Sequence, residues 1–150
     1  MLDFGLAREI DRPNDGNITF DGKIVGTPLY LAPESILSAD AVDARSDIYA
    51  LGAVAYFILT GETVFGGKTV VEVCSHHLHT PVVPPSERTL EPIPPALEAL
   101  VLRCLAKDPS ARPPTAKALE AELAALDLGP WTASEAEEWW AEHRSALPDE

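Results

Sequence analysis

Hydrophobic and polar positions divide the chain into two regimes. From residue 44 to about residue 140 apolar side chains recur at helical spacing, whereas residues 1–31 hold no sustained period. The run Ile48-Tyr49-Ala50-Leu51-Gly52-Ala53-Val54-Ala55-Tyr56-Phe57-Ile58-Leu59 predicts one helix over 44–60, with Asp47 opening the run and Thr60-Gly61 closing it. It is apolar on every side, so it is expected to be the central, surrounded helix of the core. Thr69-Val70-Val71-Glu72 fits a capping box, in which a hydroxyl and a carboxylate each satisfy a free backbone N–H. The helix that follows carries Val71, Cys74 and Leu78 on one face and ends at Pro81, Pro84 and Pro85. Pro94-Pro95 starts another, whose stripe is Leu97, Leu100, Val101, Cys104 and Leu105. Thr115 caps a fourth, with Leu119, Leu123 and Leu126 inward. After the break at Gly129-Pro130, the capping box Thr132-Ala133-Ser134-Glu135 opens a tail helix with Trp139 and Trp140. That helix is expected to dock its Trp face on the rest of the chain, because a short helix rarely survives without packing.

The first quarter reads differently. Asp15-Gly16 and Asp21-Gly22 are turn signals, and between them Asn17-Ile18-Thr19-Phe20 is too short for more than a strand fragment. A long, turn-rich, weakly apolar stretch inside a compact unit is more often functional than structural. The fold class is therefore mainly α, with a loop-rich N-terminal segment and no alternating strand set to build a sheet.

Charge narrows the function. Eleven Lys and Arg face 24 Asp and Glu, a net charge of −13 over 150 residues. That balance disfavours nucleic acid and anionic membranes as partners, since both require a basic face. The excess is uneven: residues 117–150 hold nine acids and two bases, which reads as a solvated acidic face. Cys74 and Cys104 make neither a disulfide framework nor a zinc pattern. Met1-Leu2-Asp3-Phe4 shows no secretory signal, and the longest apolar run is twelve residues where a span needs about 20. A cytoplasmic setting is expected. His76, His77 and His79 cluster near a helix end without a thiolate pair or an H-E-x-x-H pattern, so they read as a polar helix end rather than a metal site.

The chemistry lies in ordered motifs. Asp3-Phe4-Gly5 is followed 29 residues later by Ala32-Pro33-Glu34, inside the longer string Gly26-Thr27-Pro28-Leu29-Tyr30-Leu31-Ala32-Pro33-Glu34. Ser46-Asp47-Ile48-Tyr49-Ala50-Leu51-Gly52 and Asp108-Pro109-Ser110-Ala111-Arg112-Pro113 come next. In this order and spacing the chain resembles the C-terminal lobe of a bacterial-type serine/threonine protein kinase over about residues 2–126. The resemblance implies a partial kinase domain over 1–126, with an activation segment at 3–34 and a helical lobe at 35–126. An acidic tail with a short Trp-containing helix would occupy 127–150.

The resemblance also implies roles. Asp3 matches the carboxylate that holds Mg²⁺ against ATP, and Phe4 and Gly5 set the turn that aims it. Thr27 matches the loop residue beside the substrate hydroxyl. Glu34 and Arg112 match a buried ion pair that ties the activation segment to the lobe, and Asp47 matches the acid that supports the catalytic loop. Thr19 stands where relatives carry a phosphorylatable Thr, and it is equally readable as an unmodified turn residue. The parent reaction would use ATP and Mg²⁺ to phosphorylate Ser or Thr of a protein substrate.

The 150 residues contain no Gly-rich loop, no strand Lys paired with a helix Glu, and no H-R-D-x-x-x-x-N string. The resemblance thus implies a fragment without the N-lobe and catalytic loop, inactive and without ATP on its own. A second reading is a non-catalytic interaction or regulatory module. In either case part of helix 47–60 would lose its cover and promote self-association.

Overall fold

The computed structural model describes residues 28–129 and 131–144. These residues form helices joined by turns, and no strand is present among them. A 3-10 turn at Pro28–Tyr30 leads into helix α1 (Pro33–Leu37), and the long helix α2 spans Ala44–Thr60. Helices α3 (Val70–His79), α4 (Pro95–Cys104), α5 (Ala116–Ala124) and α6 (Ala133–His143) follow.

Local chemistry sets these boundaries. The Asp43 carboxylate accepts the Arg45 backbone N–H at 2.8 Å and caps α2. At the other end Gly61 takes φ of 71°, a left-handed conformation that glycine adopts without penalty, and its N–H closes on the Phe57 carbonyl. Thr69 caps α3 by accepting the Glu72 N–H, but the Glu72 carboxylate reaches back one residue further than a capping box requires, to the Lys68 N–H at 2.8 Å. The box at Thr132 and Glu135 closes in both directions.

Helix α2 organises the core. Tyr49, Ala53 and Tyr56 pack with Ala32, Val64, Phe65, Val101 and Leu105. On an adjoining stripe Ile48 packs with Leu100, Cys104 and Leu119, which joins α2 to α4 and α5. Gly52 permits the close approach of α4: a Cβ there would stand 2.7 Å from the Cys104 Cβ.

Helix α2 is not surrounded, and part of it lacks cover, the second of the two expectations for it: Leu51 and Phe57 are exposed and Ile58 is 75% exposed, while Tyr49, Ala53 and Tyr56 pack inward. Three other expectations from the pattern need correction. Helix α3 turns Val73, Cys74 and His77 inward and leaves Val71 77% exposed, because His77 finds an aromatic and hydrogen-bonding niche in the core. On α5, Leu119 is buried but Leu123 is exposed. Beside it the α4–α5 seam holds a groove of about 350 Å³ lined by Leu100, Arg103, Glu122 and Leu126 together with three alanines. The tail helix α6 buries no residue: Trp139 stacks on His143 and meets Trp140 edge-on, and both indoles stay exposed.

Candidate functional site: the 28–34 segment and its anchors

The segment Pro28–Glu34 lies against α2 and α3. Its C-terminal end is fixed by one residue from the far end of the lobe. Arg112 stands after the 3-10 turn Pro109–Ala111, which Asp108 caps by accepting the Ser110 N–H. From there its guanidinium meets the Glu34 carboxylate in a fork: Nη1 donates to Oε1 at 2.7 Å and Nη2 to Oε2 at 2.8 Å. The Arg112 side chain is fully buried and that of Glu34 is 10% exposed. Three backbone carbonyls take the other N–H groups, those of Arg45 at 2.9 Å, Ala106 at 2.8 Å and Lys107 at 3.2 Å. Arg112 thus uses every donor it has, as a buried guanidinium must.

Glu34 is satisfied in return. The Ser46 hydroxyl donates to Oε1 at 2.6 Å, and Pro33 opens the short helix that carries Glu34. Burial pushes the Glu34 carboxyl up, but the hydrogen bonds from Arg112 and Ser46 more than reverse this and hold it below its ordinary value. Beneath the pair lies Tyr49, whose ring centroid is 4.9 Å from the Arg112 guanidinium carbon.

A second contact point sits near the start of the segment. The Tyr49 hydroxyl is 2.8 Å from His77 Nδ1, and both side chains are fully buried. Phe65 meets His77 edge-on at 5.1 Å, with Lys107 Nζ 4.3 Å above the Phe65 ring. Lys107 also donates to the His77 carbonyl at 2.7 Å, at the C-terminal end of α3. Burial lowers its pKa to about 8, with the Arg112 charge adding to the effect.

The residues singled out from sequence separate here. Glu34 and Arg112 are brought together across 78 positions. Asp47 stands in the first turn of α2 with its side chain exposed. Asp3, Phe4, Gly5, Thr19 and Thr27 lie outside the described residues. The histidine cluster splits: His76 pairs with the Thr80 hydroxyl at 2.8 Å and His77 enters the core. Among the described residues no group of three or more His, Cys, Asp or Glu is arranged to hold a metal, and no helix is long and apolar enough to cross a membrane. Sequence reasoning missed Ser46, Tyr49 and His77 as site residues. The available signal for His77 was its helical register with Val73 and Cys74, which places all three on one face.

Comparison with known proteins places the chain in a family. A family model described as the protein kinase domain matches residues 1–123. The serine/threonine-protein kinase PknB of Mycobacterium leprae is 43% identical over 129 residues, covering 86% of this chain and 20% of that protein. The serine/threonine-protein kinase pkn3 of Myxococcus xanthus is 40% identical over 129 residues, covering 85% of the chain and 23% of the relative. PknB of Mycobacterium tuberculosis is 42% identical over 130 residues, at 86% and 20% coverage. The chain therefore spans about a fifth of the length of the curated relatives it matches.

Proposed function

The chain belongs to the protein kinase family, and from that membership we propose that residues 1–126 form the activation segment and helical C-terminal lobe of a serine/threonine kinase, with an acidic tail over 127–150. The observation that carries this reading is the buried Glu34–Arg112 fork. A segment that must present residues to a substrate needs a fixed end, and a bidentate pair with every donor satisfied provides one.

The proposed division of labour follows the motifs. Asp3 would hold Mg²⁺ beside the ATP phosphates, a fit of hard cation to carboxylate oxygen, and the ion when bound neutralises charge on the transferring phosphoryl group. Phe4 and Gly5 set the direction of Asp3. Thr27, directly before the Pro28–Tyr30 turn, lies beside the acceptor hydroxyl of a protein substrate. Thr19 is the regulatory position: phosphorylation there adds about −1.5 to −2 charge to the loop. Glu34 and Arg112 anchor the segment rather than bind substrate, and Asp47 would support the catalytic loop of a whole kinase domain. The 150 residues hold no Gly-rich loop and no catalytic-loop string, so this polypeptide alone neither binds Mg-ATP nor transfers phosphate.

The test joins the chain at Asp3 to the N-lobe and catalytic loop of a relative such as the M. leprae PknB. The joined protein is expected to move the γ-phosphate of ATP to a Ser/Thr peptide, and Asp3→Asn to abolish transfer. A folded joined protein with no transfer, or with transfer indifferent to Asp3→Asn, contradicts the proposal.

A further inference from the structure

We propose that α6 is a recognition helix for a basic protein partner: its face Ala136, Trp139, Trp140 and His143 packs on an apolar surface of another protein, and Lys or Arg at the edge of that surface meets Glu135 and Glu142.

The aromatic face is built before any partner arrives. Helical spacing puts Ala136, Trp139, Trp140 and His143 on one side of α6. Trp139 is held between two neighbours: its ring stacks on His143 at 4.4 Å between centroids and meets Trp140 edge-on at 5.0 Å. The His143 ring is fixed in turn, with Nδ1 2.9 Å from the Trp139 carbonyl. The capping box closes the N-terminal end of the helix from within. An aromatic pair already ordered loses little side-chain freedom on binding, and Trp is enriched where binding energy concentrates. Yet neither ring is covered among the described residues: Trp139 is 42% and Trp140 49% exposed, and α6 buries no residue.

Charge decides which partner fits. Residues 127–150 hold seven acids and one base, Arg144. Helical register places the exposed Glu135 and Glu142 along one edge of the aromatic face, and Glu137 with Arg144 along the other. An acidic protein surface or an anionic membrane would set like charges against Glu135 and Glu142. A second copy of this chain offers no match either. Its α2 exposes Leu51, Phe57 and Ile58, but the chain has no Lys or Arg between Arg45 and Lys68. Its α4–α5 groove has Arg103, which is already paired with Glu122 at 2.7 Å. An apolar surface with a basic edge, on a different protein, satisfies both the rings and the carboxylates. Recognition through α6 is independent of the kinase reading.

The test titrates the 150-residue chain with three helical peptides, using calorimetry for affinity and tryptophan emission for the place of binding. One peptide carries Leu along one face and Lys elsewhere, the second the same Leu face with Glu, and the third Lys and Ser without Leu. The Leu/Lys peptide is expected to shift the emission to the blue and to bind at least about tenfold more tightly than the other two. Trp139→Ala with Trp140→Ala should weaken it at least about tenfold. Glu135→Gln with Glu142→Gln, in which a Gln still closes the capping box, should weaken it about fivefold at low salt. Ile58→Glu, on the bare side of α2, should leave it within about twofold. Equal affinity for the Leu/Lys and Lys/Ser peptides overturns the proposal, as does binding that survives loss of both tryptophans. Loss of binding in Ile58→Glu moves the site to α2 and overturns it too. A blue shift on phosphatidylcholine vesicles, or on concentrating the chain alone, makes the occupant a lipid or a second copy, and either result overturns it. Peptide phosphorylation by the joined protein bears on the kinase reading alone.

Discussion

Arg112 reaches Glu34 across 78 residues of sequence and closes on it with two parallel hydrogen bonds of 2.7 and 2.8 Å. The same guanidinium takes in the carbonyls of Arg45, Ala106 and Lys107 and stands over the Tyr49 ring. One side chain thereby ties together the 28–34 segment, the start of α2 and the loop after α4. Such a pair adds little net stability relative to an apolar replacement of both partners, since desolvation offsets most of the attraction. Its effect is on geometry: breaking it from one side leaves a buried charge that no other group can satisfy.

Acid should unfold the protein in two stages. His77 has its pKa lowered from 6.5 to about 4, by burial first and the Lys107 charge second. Between those values the unfolded chain takes up a proton that the folded chain refuses, so the stability from neutral His77 is full above about pH 6.5 and lost as the pH falls toward 4. By linkage that amounts to about 3 kcal/mol. Glu34 has a folded pKa below its ordinary 4.5, so its contribution is present above that pH and lost as the pH falls through the lower folded value. Urea titrations from pH 7.5 to 3.5 should show both limbs, and His77→Gln should remove the first.

Gly52→Ala should destabilise the lobe by about 1–3 kcal/mol, because the new Cβ has no room against α4. The clash is with the Cys104 Cβ at 2.7 Å. Cys104→Ala, which keeps that atom, should give no relief when combined with Gly52→Ala. Thermal melts of the two single variants and the double variant check this.

All three tryptophans lie between residues 131 and 140 and are exposed. Their emission should be that of solvated indole and should barely shift on adding denaturant, while the far-ultraviolet circular dichroism signal collapses. Removing residues 127–150 should leave the melting midpoint of the lobe unchanged within about 2 °C. A blue-shifted emission that reddens on unfolding would mean that α6 docks.

The uncovered side of α2 should drive association. Leu51 and Ile58 lie on one face at helical spacing and are exposed together. Sedimentation velocity should show concentration-dependent oligomers, and Ile58→Glu should shift them toward monomer without lowering the melting midpoint.

Helices were legible because their signals are local. Thr69, Thr115 and Thr132 are caps whose partners lie within three residues, and Gly61 marks the end of α2 where the pattern puts it; the pattern singled out Asp47 at the start of α2, whereas the cap is Asp43. The meeting of Glu34 and Arg112 was legible only through motif order, since no local signal reaches across 78 positions. Which side of α3 faces inward was ambiguous in sequence: Val73, Cys74 and His77 share one face and Val71, Cys74 and Leu78 another, and a histidine reads as polar until an aromatic niche with a tyrosine hydroxyl is known. That part of α2 lacks cover was expected from the missing motifs; which side stays bare is a tertiary fact, absent from a stretch that is apolar all round. The tail misled for a related reason, because its aromatic pair satisfies itself with His143 rather than with the lobe.

The central claim is that the 28–34 segment is anchored to the helical lobe through Glu34 and Arg112. A double-mutant cycle on urea-unfolding free energies tests it most directly, using Glu34→Leu, Arg112→Met and the pair. Arg112→Met alone should cost about 3–5 kcal/mol, and the double variant should recover at least about 2 kcal/mol of the summed single losses. Losses that add within about 0.5 kcal/mol would show the two side chains to be uncoupled and would contradict the account.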